Sequence, residues 1–344
     1  MKLPRNAQLW FPGWMRSRAR NAAHQFDATR PVTLWLMFAD HYEPLWARPT
    51  PAVAHARVAR WTSQWPRIAD AQLDDLGRPA RWTFFYPEEQ YAPDLLEPLA
   101  GLVRRGIADV EVHIHHDGEG EADFVTRMRR FVNTLHGAHG LLHRREDRPV
   151  FGFIHGNWAL DNSHPEGRWC GLNNEITLLR ELGCYADFTM PAAPNPCQTR
   201  LVNAAYWAVD DIARPKSHDS GVLVVPGETA PPDALLCVQG PLTLRHHPRW
   251  RVLPSLEVGE LAGYAAPSSE RARRWLDAAP RIGNDVFLKL FTHGAPESNA
   301  EPLLNGFIAA AIDHVRAASH ARGWRLAFAT AYELVQAIER ARTL

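Results

Sequence analysis

The sequence predicts an α/β protein built as one (β/α) barrel, seven-stranded and distorted. Three observations lead there. Short β-rich runs alternate with helix-period segments from about residue 31 onward. No Gly-rich phosphate loop follows any early strand, which speaks against an open doubly wound sheet and against a dinucleotide enzyme. Imidazole or carboxylate groups stand at the ends of five separate strands, the rim on which such barrels carry their chemistry.

The first strand covers 32–39 (VTLWLMFA), a continuous apolar run suited to burial on both faces, and a helix follows at 52–68. Trp61 and Trp65 lie four apart on that helix, so they share a face and belong to the core. A second strand at 82–86 (WTFFY) precedes a helix at 93–105. The third, 110–115 (VEVHIH), precedes a long amphipathic helix at 122–139. A fourth strand at 150–154 (VFGFI) leads to a helix at 174–182 that Gly183 stops, and 185–190 makes the fifth. The Pro-rich stretch 191–240 is irregular, with strand-like pieces at 222–225 and 234–238. The last clear strand is 286–292 (VFLKLFT), followed by helices at 299–322 and 330–342.

Residues 31–344 thus read as one domain, preceded by a basic, Trp-containing N-terminal arm at 1–30. That arm has no apolar run long enough for a membrane span; it packs on the surface or touches an anionic membrane weakly. Hydrophobic residues at 46% and charged residues at 22% exclude a disordered or membrane-embedded chain. The 38 basic residues balance the 38 acidic ones, so no net field favours a nucleic acid partner. Cys170, Cys184, Cys197 and Cys237 form no C-x-x-C pair and are expected as buried free thiols, with the cytoplasm as the default location.

The chemistry is expected at the strand ends. Strand one ends in Asp40-His41-Tyr42-Glu43, strand three in His113-Ile114-His115-His116, strand four in His155-Gly156-Asn157-Trp158, strand five in Asp187, and the last in His293-Gly294. Period-two alternation puts Glu111, His113 and His115 on one strand face, an H-x-H spacing that suits a divalent metal or, alternatively, hydrogen-bonded structural histidines. Glu111, deeper in the strand, is placed to orient a ligand histidine, and His116 points away unless the strand has already ended. His293 is positioned as a general acid or base. The segment 155–162 (HGNWALDN) packs donors, acceptors and an indole suited to polyhydroxyl recognition, or forms a structured loop held by Asx turns. Its candidate substrate contacts are His155, Asn157, Trp158 and Asp161, joined by Asp187. Glu43, Glu88 and Glu89 are further rim candidates, and 170–175 reads first as a helix start.

At these residues the sequence resembles the polysaccharide deacetylase (NodB-homology) superfamily over about 31–294, and is more similar to its uncharacterised members. Phe38-Ala39-Asp40-His41 stands in the place of the family's Thr-Phe-Asp-Asp, which implies Asp40 as catalytic base and His41 as metal ligand. The run from Glu111 resembles the second motif and puts His115 on its first metal histidine. Glu119 stands where the second is expected, so either Glu119 or His113 completes the set. The stretch ending in Asp187, the strand near Val222 and Leu290-Phe291-Thr292-His293 resemble the later motifs, the last implying His293 as general acid. The Arg-x-Pro motif is replaced by His155-Gly156-Asn157.

What the resemblance implies is a metal-dependent hydrolase that deacetylates an N- or O-acetylated saccharide. Its metal would be one divalent transition ion, zinc before cobalt, nickel or iron, on His41, His113 and His115. The partner is a small-molecule or oligosaccharide substrate. Two rival expectations are an inactive glycan-binding barrel and a metallohydrolase for a phosphoester or a non-sugar amide.

Overall fold

A computed structural model describes residues 3–246 and 254–343. Nine strands frame the site: β1 (Thr33–His41), β2 (Trp82–Pro87), β3 (Ala108–Ile114), β4 (Arg148–His155), β5 (Cys184–Asp187), β6 (Ala205–Val209), β7 (Ala234–Val238), β8 (Asp285–Thr292) and β9 (Arg325–Phe328). Their spatial order is β8-β1-β2-β3-β4-β5-β7-β6, with β9 beside the first half of β1. Neighbours run parallel except β6, which is antiparallel to β7. This is a mixed α/β fold around a mostly parallel sheet.

The expected closed barrel is not formed among the described residues. One end of the sheet carries the antiparallel strand β6, and the other is finished by Arg281–Ile282, antiparallel to β8. The two sides nonetheless approach each other. A Cβ on Gly240, just after β7, would lie 2.8 Å from the Lys289 carbonyl of β8. The fully buried Lys289 ammonium donates across this seam to the carbonyl of Phe188 and, at 2.6 Å, to that of Met190. A side chain therefore spans the gap where a closed ladder would use backbone.

Strand alternation sorts β1 between two cores. Leu34, Leu36 and Phe38 face the larger cluster under the helices, and Met37 and Ala39 face a second cluster on the other side. The larger cluster takes up α2 (Pro51–Ala71), α3 (Pro93–Arg104) and α4 (Glu121–His139). Thr50 caps α2, its side chain accepting from the Val53 amide at 3.4 Å, with Pro51 pre-set for the first turn; such a cap is worth about 1 kcal/mol. Trp61 and Trp65 are fully buried on the expected face. Further helices are α5 (Glu175–Glu181), α6 (Ser269–Ala278), α7 (Ile308–His320) and α8 (Ala331–Thr343), the last packed into the second cluster.

Three local expectations shift. The helix expected over 299–322 is broken: Glu297–Pro302 gives way to a wide turn at Leu303–Phe307, where Gly306 has φ 135°, before α7 begins. β9 follows after only four residues of connection, too short a strand to show a period of its own. The described part of the N-terminal arm is a helix, α1 (Ala7–Ala23), whose Trp10 and Trp14 pack with Ala193, Val202 and Leu242. Those indoles are thereby withdrawn from any membrane contact. No described helix is long and apolar enough to cross a membrane.

Candidate active site

The ends of β1, β3, β4 and β8 open on one side into a cavity of about 350 Å³. His41, Glu43, His115, Asn157, Trp158 and His293 contribute to its wall, together with Trp46, Glu260, Tyr264 and the stretch around Asn299. None of the described residues lining it is a lysine or arginine. A neighbouring depression of about 430 Å³ shares Trp158, Glu260, Tyr264 and His293, so the two form a continuous groove.

At its floor, ligand atoms of Glu43, His113 and His115 lie within 4.8 Å of one another and could hold a metal ion. Glu43 Oε1 is 3.3 Å from His113 Nε2 and 3.5 Å from His115 Nε2. Each imidazole is fixed from behind. His113 Nδ1 lies 2.8 Å from the Ile154 carbonyl, and His115 Nδ1 lies 2.5 Å from Glu89 Oε1. A carbonyl only accepts, so His113 carries its proton on Nδ1 and offers the Nε2 lone pair to the centre. Burial pushes the Glu43 carboxyl up, but the neighbouring imidazoles, His113 first, outweigh it and hold it below its ordinary range. Two imidazoles and one carboxylate fit a divalent transition ion.

The structure brings His113 and His115 together with Glu43 rather than with His41, expected to share the metal with them. The His41 ring stands beside them, its centroid 5.2 Å from that of His113 and 4.8 Å from that of His293. Burial, then the nearby histidines and Lys289, hold its pKa well below the usual histidine value, so it is neutral.

Asp40, expected as the base, faces the other way. Consecutive strand residues point to opposite sides, and Asp40 lies with Phe38 toward Trp82 and Trp61. Its Oδ1 accepts the Gly294 amide at 2.6 Å and its Oδ2 the Trp82 indole N–H at 3.1 Å. Burial raises its pKa to about 7 against those hydrogen bonds. Gly294 is required there, since a Cβ would lie 2.3 Å from Asp40 Oδ2. Asp40 thus anchors the chain immediately after His293.

His293 lies 3.8 Å from Glu260 Oε1 across the cavity mouth. Burial works against its charge, but the facing Glu260 carboxylate, then the Glu43 and Asp40 carboxylates, raise its pKa above the ordinary histidine value. Its charged form is thereby favoured relative to an ordinary histidine.

Of the expected substrate contacts, Asn157 and Trp158 line the cavity, while His155, Asp161 and Asp187 do not. Asp161 binds the Ser217 amide at 2.6 Å, and Asp187 accepts from Thr189 Oγ1 at 2.5 Å. Both hold loops. Glu111 does not orient a ligand histidine; it accepts the Gly152 amide at 2.6 Å and the Tyr185 hydroxyl at 2.5 Å, tying β3 to β4 and β5. Glu119 is held by Arg127 at 2.9 Å and is outside the Glu43 group. Glu260 and Tyr264 are additional groups from between the Pro-rich stretch 191–240 and the last expected strand, where no periodicity marked an element. Glu43 carried a usable signal, since it follows His41 by two residues at a strand end.

No family model matches the chain, and no curated protein matches it.

Proposed function

We propose that the protein is a metal-dependent hydrolase that deacetylates an acetylated saccharide, its sheet an open variant of the deacetylase-type (β/α) barrel. The observation that carries this reading is the convergence of Glu43, His113 and His115 at the base of a groove whose opposite wall holds the His293–Glu260 pair. A divalent cation supplies Lewis acidity toward a carbonyl and toward water.

The chain's own groups divide the remaining work. His41, neutral and at the cavity wall, is the group placed to take a proton from water. His293, whose acid form the facing Glu260 carboxylate favours, donates to the departing amine or alcohol. Asp40 acts through Gly294, fixing the strand end that carries His293. Trp46, Trp158 and the exposed Tyr264 offer ring faces along the groove, which suits stacking on sugar rings.

Two features favour a neutral amide or ester over a phosphoester. Glu43 and Glu260 make the cavity acidic, and its described lining offers no lysine or arginine to clamp a phosphate. Elemental mass spectrometry on the purified protein, followed by acetate release from N- and O-acetylated saccharides, tests the reading. The expected result is a transition metal lost in a His113→Ala, His115→Ala variant, and turnover abolished in His293→Ala with that metal retained. A metal-loaded protein active on phosphoesters and silent on every acetylated substrate would overturn it.

A further inference from the structure

A second group of ligand-type side chains lies behind the cavity and plays no part in the chemistry above. His116 leaves the end of β3, His155 ends β4, Cys170 sits in the loop between, and Glu175 begins α5. All four are buried, and one ligand atom from each lies within 4.8 Å of the others. His116 Nε2 is 2.9 Å from His155 Nε2 and 2.9 Å from Glu175 Oε1, while His155 Nε2 is 3.4 Å from that same oxygen.

Counting protons with neutral imidazoles leaves this cluster short of a donor. His155 Nδ1 lies 2.5 Å from the Gly156 carbonyl, which only accepts, so the ring proton is on Nδ1 and the Nε2 lone pair faces inward. Glu175 brings another acceptor to the same point. If His116 carries its proton on Nε2, that single N–H faces two acceptors, and His155 Nε2 still opposes Glu175 Oε1 lone pair to lone pair. If the proton is on Nδ1, which lies 3.2 Å from Glu119 Oε1, three lone pairs converge with nothing positive between them. With neutral imidazoles the centre lacks a cation, and the buried His116 Nδ1 is left without a hydrogen-bond partner.

Cys170 adds an independent observation. Its sulfur accepts the backbone N–H of Asn162 at 3.2 Å and that of Leu172 at 3.4 Å, and lies 3.4 Å from Glu175 Oε2. Two amides directed at one sulfur suit a thiolate ligand, but burial and the Glu175 carboxylate raise the thiol pKa, so only a bound cation would make the sulfur a thiolate there.

We propose that His116, His155, Cys170 and Glu175 form a second, closed site for a zinc-class divalent ion. Two imidazoles, one thiolate and one carboxylate make a four-ligand set for such an ion, with no position left for substrate. Its role is structural. The ligands tie β3, β4 and α5 around the loop that carries Asn157 and Trp158 to the cavity wall, and the Asp161 amide, 2.6 Å from Glu175 Oε2, joins that loop to the same carboxylate.

This site stands apart from the Glu43 group, and its test separates the two. Elemental mass spectrometry of the wild-type chain should find two ions, falling to one in Cys170→Ala or His155→Ala and to a different one in His113→Ala, His115→Ala. The cobalt-loaded wild type should show a thiolate-to-cobalt charge-transfer band that survives His113→Ala. One ion per chain, lost in Cys170→Ala and kept in the His113, His115 variant, would support the buried site and remove the other. An ion content indifferent to Cys170→Ala, or cobalt-saturated wild type without the thiolate band, would overturn the buried site. The spectrum decides the matter even where Cys170→Ala fails to fold.

Discussion

His115 and His116, adjacent in the chain, turn to opposite sides: His115 Nε2 lies 3.5 Å from Glu43 Oε1, and His116 Nε2 lies 2.9 Å from Glu175 Oε1. The strand β3 ends at Ile114, so the alternation that aims His113 inward continues for one residue and then delivers His116 to the buried cluster. A single peptide unit is the partition between the cavity and the second site.

The Glu89 carboxylate holds His115 by its Nδ1 at 2.5 Å and touches no other candidate ligand of that group. Glu89→Gln is therefore expected to weaken metal binding about 10–100-fold without unfolding the chain. Competition against a chromophoric chelator measures this. Unchanged affinity would show that His115 needs no support from behind.

The proton on His293 sets an expected pH limit. Its pKa is raised, so the acid form persists above the ordinary histidine value of about 6.5, and kcat/KM should fall only as pH rises past the shifted value. Glu260→Gln removes a stabilising carboxylate and moves that basic limb downward. The same sign governs stability: the contribution of the His293–Glu260 contact is fully present below the unfolded histidine pKa and is lost as pH rises through the folded one. A limb that stays in place in Glu260→Gln would assign the proton to another group.

Gly294→Ala places a Cβ 2.3 Å from Asp40 Oδ2 and 2.7 Å from the Trp61 ring. Both neighbours are buried and cannot retreat, so the variant should lose about 1–3 kcal/mol of stability by thermal denaturation. The chain after His293 must shift, and kcat should drop more than KM rises. Full activity in a destabilised variant would detach Asp40 and Gly294 from the placement of His293.

Lys289→Met leaves the Phe188 and Met190 carbonyls and the buried Asp187 without their cation. Truncating one partner of such a buried network costs about 3 kcal/mol. Denaturant titration should show a lower midpoint at unchanged slope. A midpoint equal to that of the wild type would mean that the seam is held by packing alone.

Much of the fold was legible because it rests on local pattern. Period-two runs such as 82–86 and 110–115 correspond to β2 and β3, and the four-residue spacing of Trp61 and Trp65 gave their buried face. The closed barrel was not legible, because closure depends on which strand lies beside β7, and the antiparallel β6 came from a Pro-rich stretch without clear period. In the site, the H-x-H spacing held His113 and His115 together as a pair. The exchange of His41 for Glu43 follows from chain direction beyond the strand end, where alternation no longer applies. Asp40 and His41 could not both face the cavity, a constraint already contained in their adjacency. The His116, His155, Cys170 and Glu175 group spans 60 positions of sequence and leaves no spacing motif, so only the folded chain assembles it.

The seam at Lys289 gives the groove a direction. A hooped wall would confine a ligand to entry from above, as into a cup. Here the rim between Pro191 and Phe291 stands over the one stretch of wall held by a side chain instead of a ladder. The groove continues along this side past Pro191 and Phe291, and under the proposed deacetylase reading an extended glycan would lie along it across the Glu43, His113 and His115 group.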